Sequence, residues 1–189
     1  SVSSLTIGVD KGTSGGTGTV YVDDIRLYGA PPEVVAPTDP GNNGLVVQYS
    51  MEGNLQDGSG KSNHGTPMGD PTYADGPAGY GQVLNLDGTN DYVDLPIGSL
   101  MGTWRDVTIA VYANQTDASR LWQRVFDFGT GATVYMFLTP NNSITQTARF
   151  AISTAGGGAN ESLVTAPAPL SPGWHHLAVT IDSSAMTLQ

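Results

Sequence analysis

Breaking a glycosidic bond generally takes two carboxyl groups held about 5–10 Å apart across the sugar. This sequence is poor in candidates, because Glu occurs only at 33, 52 and 161. None of the three begins a Glu-x-Asp-x-x-Glu run, which would set alternate acids on one strand face. Glu33 stands in a proline-rich stretch. The chain is therefore expected not to be an enzyme, a pair built from Asp alone being the alternative left open. Gly12-Thr13-Ser14-Gly15-Gly16 has the spacing of a serine-hydrolase nucleophile elbow, but that chemistry needs a strand-to-helix turn with His and Asp partners. Here the pentapeptide falls in a glycine-rich hairpin turn with no helical pattern after it. His175 and His176 are strand neighbours, so their rings diverge to opposite faces. His64, between Asn63 and Gly65, reads as a turn residue without a second imidazole close in sequence. The absence of cysteine excludes a thiolate zinc site, a disulfide framework and a cysteine nucleophile.

Oxygen-rich loops suit a hard cation better, since calcium takes six to eight oxygens from carboxylates, amides and carbonyls. Met51 to Asn63 supplies Glu52, Asn54 and Asp57 in such a loop, and Asp87 to Asp94 supplies three carboxylates. Asp23 and Asp24 form a further acidic pair. Neither loop has EF-hand spacing, and Asx-turns are the alternative these residues offer without a metal. Sugars are recognised by flat rings with polar neighbours. Trp104, Trp122, Tyr80 and Tyr135 lie in or beside turn-like sequence, and Arg105, Arg120 and Arg124 surround two of them. Arg124 alternates with Trp122 and Phe126, which also fits a buried pair with a nearby Asp.

The elements that must position these residues are strands. Leu45, Val47, Tyr49 and Met51 alternate, as do Val107, Ile109 and Val111, and Leu177, Val179 and Ile181. Period-two alternation with one apolar face predicts antiparallel sheets. No stretch keeps a helical stripe. A hydrophobic content of 39% supports a core. The formal charge of −10, from 7 Lys plus Arg against 17 Asp plus Glu, repels phosphate backbones and anionic lipid. Neither nucleic-acid binding nor membrane insertion is expected, there being no apolar run of 18 residues.

Residues 1–28 read as the closing hairpin of a preceding β-domain, with the apolar phase slipping at Asp23-Asp24 as at a β-bulge. Residues 29–43 hold four prolines and read as a linker. Residues 44–189 form the main domain, whose alternation is still running at Gln189. Ser1 is expected not to be the natural N-terminus, and both ends read as cut.

From Gly44 onward the sequence resembles the laminin-G-like, concanavalin A-like jelly-roll domains of bacterial extracellular proteins. The resemblance is carried by Gly44 to Asp57, Asn63-His64-Gly65, Leu84 to Val93, Arg124 to Gly129 and Gly173 to Thr180. Two departures stand out: Tyr112 occupies a position where the family usually has Trp, and the family's closing strands would follow Gln189. The resemblance implies an antiparallel two-sheet β-sandwich. It also implies a secreted or cell-surface, non-catalytic module that binds a glycan or polysaccharide, or adheres, beside other domains of the same polypeptide. Structural calcium is implied as well. The expected ligand-binding residues are Trp104, Trp122, Arg124 and Tyr80. The expected metal ligands are Glu52, Asn54, Asp57, Asp23 and Asp24. A structural spacer or protein–protein module is the alternative.

Overall fold

The computed structural model describes residues 43–157, 160–182 and 187–188, all within the compact unit Asn42–Gln189. The expected hairpin 1–28, with Asp23 and Asp24, and linker residues 29–42 lie outside the described residues. The elements run β1 (Thr66–Met68), β2 (Thr72–Asp75), β3 (Gln82–Asn85), β4 (Tyr92–Asp94), a single helical turn α1 (Gly98–Met101), β5 (Val107–Asn114) and β6 (Phe126–Gly129). They continue as β7 (Tyr135–Thr139), β8 (Arg149–Ser153), β9 (Glu161–Thr165), β10 (Trp174–Asp182) and β11 (Thr187–Leu188). Every pairing among these strands is antiparallel. The all-β expectation holds. Among the described residues no helix is long and apolar enough to cross a membrane.

Two sheets face each other across the core. One runs β6-β7-β8-β9 and the other β11-β10-β5, with the pairs β1-β4 and β2-β3 beside them. Met136, Leu138 and Phe150 from the first sheet meet Val179 from the second, and Ile109, Leu177 and Ile181 pack around them. These are the alternating positions, because a strand's period of two sends every second side chain inward. Burying each such side chain is worth about 1.5–3 kcal/mol. Parity also separates the two histidines: Leu177 marks the inner face, so His176 falls on the outer face and is exposed.

Two stretches depart from simple alternation. Residues 45–51 form no ladder beyond a bridge from Tyr49 to Asp57. Their backbone groups are taken by side chains instead: Gln48 N donates to Asp57 Oδ1, and Val46 O accepts from Asn63 Nδ2. Just before β6, Val125 N donates to Leu138 O while Phe126 is in register with the same Leu138. Two residues thus oppose one, as in a β-bulge, and both pack against the core. Arg124 is thereby freed from the inward parity of Phe126.

Candidate functional site

The outer face of the β6–β9 sheet carries Asp127 on β6, Tyr135 and Phe137 on β7, Arg149 on β8 and Glu161 on β9, all set by the register of the three ladders. An outer face without a covering sheet should be wet, yet Phe137 is only 6% exposed. Charged side chains cover it. The Arg124 guanidinium carbon lies 3.9 Å from the Phe137 ring centroid and 5.9 Å from that of Trp122. Arg149 approaches Trp122 to 5.7 Å. Trp122 meets Phe137 edge to face, at 6.3 Å and 77°. Guanidinium over a ring face is attractive through the ring quadrupole, and more so where water is excluded.

Each charge here has an opposite partner. Arg124 Nε lies 3.0 Å from Asp127 Oδ2. Arg149 Nη2 donates to Glu161 Oε2, and Tyr135 Oη donates to Glu161 Oε1 at 2.7 Å. The bond to Glu161, burial and the Glu161 charge together raise the Tyr135 phenol above its ordinary pKa. Arg149 Nε is buried without a hydrogen-bond partner.

Trp122 stands in the left-handed backbone region, φ +62°, which a bulky side chain rarely adopts. Its N–H donates to Asn141 O at 2.8 Å, its carbonyl accepts from Arg124 Nη1 at 2.8 Å, and its indole N–H donates to Ser143 Oγ at 3.0 Å. Such conformations persist only where the surroundings over-determine them, and they cluster at binding sites. Asn142, almost fully buried, fixes the loop that carries Ser143 by accepting from Ile144 N and Thr145 N.

The expected ligand residues therefore divide. Trp122 and Arg124 come together on this face. Tyr80 lies elsewhere, at the β2–β3 turn, stacked at 5.3 Å and 12° on Tyr112 of β5, which stacks in turn at 5.4 Å and 11° on Trp174 of β10. Trp104, half-buried between α1 and β5, joins neither ring cluster. Phe137, Arg149 and Glu161 were not expected. The available signal was Arg149-Phe150-Ala151-Ile152-Ser153, where a lone arginine alternates with small residues opposite an apolar run.

Of the expected calcium ligands, the three among the described residues, Glu52, Asn54 and Asp57, do not fit a cation. Asp57 Oδ1 accepts from Gln48 N and Ser59 N, at 3.0 and 2.8 Å, and Oδ2 accepts from Ser59 Oγ and Asn63 N, at 2.7 and 2.9 Å. A carboxylate offers about four lone-pair sites, and all four are taken. Burial alone would raise this carboxyl's pKa; the Ser59, Gln48 and Asn63 donors outweigh it and hold the group well below the usual carboxylate range. Glu52 turns to another partner, Gln82 N, and Asn54 closes a local turn with Glu52 O and Gln56 N. Among the described residues, no three acidic or imidazole side chains gather in a geometry for a metal.

A laminin G family model, described as the Concanavalin A-like lectin/glucanases superfamily, matches residues 87–188, over half the chain. The chain belongs to this superfamily. No curated protein and no solved structure matches it. The matched span contains both facing sheets, so the superfamily's sandwich is the frame that holds Trp122, Arg124 and Arg149.

Proposed function

We propose that this superfamily member is a non-catalytic, extracellular carbohydrate-binding or adhesion module whose ligand lies on the outer face of the β6–β9 sheet. The observation that carries the reading is Trp122, held in a strained backbone by three hydrogen bonds and flanked by two guanidinium groups. Preorganised rings beside hydrogen-bonding cations suit the apolar faces and hydroxyls of sugars. The same face supports the non-catalytic part. Its two carboxylates, Asp127 and Glu161, stand on β6 and β9 at opposite edges of the sheet. Three inter-strand steps separate them, about 14 Å of backbone. Each is ion-paired to an arginine, Asp127 to Arg124 and Glu161 to Arg149.

Binding to a glycan array, followed by calorimetry on any hit, tests the reading with wild type and Trp122→Ala. Selective binding by the wild type and at least a tenfold loss in the variant are expected. Silence across the array, or release of reducing ends from a bound polysaccharide, would overturn it.

A further inference from the structure

We propose that two acidic turns among the described residues, at Asp57 and at Asp87–Asp91, need no structural calcium: backbone and hydroxyl donors satisfy the first, and backbone amides with the Arg120 guanidinium serve the second. The inference does not rest on the ligand reading above.

At the first turn, three backbone N–H groups and one hydroxyl converge on Asp57. They come from Gln48, Ser59 and Asn63, so the carboxylate ties residues 46–49 to the loop 57–63. That is the task a bound ion performs, joining chain segments through shared oxygens. Two further bonds hold the same loop: Asp57 N donates to His64 Nδ1, and Asn63 Nδ2 donates to Val46 O. A cation entering here would have to strip donors from lone pairs already in use, with no gain in coordination.

At the second turn, Asp91 Oδ1 accepts from Asp70 N and Oδ2 from Asp87 N, so each oxygen of that carboxylate holds one amide, and Asp87 Oδ1 accepts from Thr89 N. The carbonyls of Asp87 and Gly88 are met by Arg120 Nη1, at 3.5 and 3.0 Å. The approach is built into the chain. Gly88 has φ +73°, and a Cβ there would come within 2.8 Å of Arg120 Nη1 and 2.7 Å of Gln123 Nε2. Gln115 Nε2 braces the arginine's loop through Arg120 O and Gln123 Oε1, at 2.8 and 2.9 Å. The Asp87 and Gly88 carbonyls therefore face a guanidinium that also pairs with Asp117, at 3.6 Å, so a donor already stands where an ion would approach them.

The test is thermal unfolding of the full chain in chelator and in millimolar calcium, for wild type, Arg120→Ala and Gly88→Ala. A site filled at a hundredfold excess over Kd would raise the melting temperature by about 5–10 °C. We expect the wild type to melt within about 1 °C in the two buffers. Both variants should melt a few degrees lower whatever the buffer. A calcium-dependent rise of several degrees in the wild type would overturn the proposal, as would wild-type melting in Arg120→Ala. Asp57→Asn carries two donors into a ring of donors and is expected to unfold or melt far lower. If it fails to fold, the wild-type and Arg120→Ala curves decide.

Discussion

On the outer face of β6–β9 every ring meets a charged group, whereas on the outer face of β5–β10 Tyr80, Tyr112 and Trp174 stack on one another. Phe137 lies under Arg124 and is 6% exposed. Tyr112 and Tyr80, stacked in a column with Trp174, are 42% and 61% exposed. Rings in a column turn their faces inward on each other and leave rims to solvent. Rings beside paired guanidinium groups are fixed in position by hydrogen bonds that have direction. The two faces show that aromatic content alone does not make a recognition surface: what differs is whether polar partners specify the geometry.

The largest effect should come from breaking the charged face. Arg149→Ala leaves Glu161, itself largely buried, with Tyr135 as its remaining partner. Removing one member of a buried pair costs about 3–5 kcal/mol, chiefly through the uncompensated charge left behind. The melting temperature should fall by about 6 °C or more. A fall under about 2 °C would mean that the pair is screened by solvent and that the face is no more specified than its counterpart.

A smaller effect separates the faces at alkaline pH. The Tyr135 phenol is raised by its bond to Glu161, then by burial. A group whose folded pKa lies above its unfolded value of about 10 contributes stability that is complete below that value. The contribution is lost as pH rises through the folded pKa. Unfolding curves between pH 9 and 11 should therefore steepen in the wild type and flatten in Tyr135→Phe. Identical pH profiles would place the phenol outside the network.

Much of this frame was legible in the sequence, and the reasons are local. Val107-Ile109-Val111 and Leu177-Val179-Ile181 alternate cleanly because each strand has one partner sheet and one open face, so period two survives intact. Leu45 to Met51 alternates just as well, yet forms no ladder. A side chain, Asp57, takes the backbone donor that a neighbouring strand would have used, and periodicity does not register that competition. Trp122 with Arg124 could be nominated because both types suit sugars, but the alternation that placed Arg124 beside Phe126 failed at the bulge where Val125 and Phe126 share Leu138. Glu161 escaped notice for another reason. Its partners lie 12 and 26 residues away, and only the β7–β8–β9 register brings them together. The oxygen-rich loop 51–63 suggested a cation because oxygen counting ignores donors, and the donors at Asp57 are mostly backbone N–H groups, which every residue but proline carries.

The smallest effect is the sharpest probe of the comparison, because Tyr80 is the ring most exposed in the column and stands at its end. Its loss removes one stacked pair, worth about 0.5–1.5 kcal/mol. The β2–β3 turn that carries it keeps two other anchors, Gly76 N to Gly81 O at 2.7 Å and Gln82 N to Glu52 Oε2 at 2.9 Å. Tyr80→Ala should therefore lower the melting temperature by only about 1–6 °C, and Tyr80→Phe, which keeps the ring, by less. A Tyr80/Tyr112 double-mutant cycle should return a coupling energy near the stacking value, since the rings touch each other. Any glycan affinity should survive both single changes, because the column stands on the other sheet from Trp122. Loss of binding in a folded Tyr80→Ala variant, with Trp122→Ala unaffected, would reverse the assignment and make the β5–β10 column the ligand face.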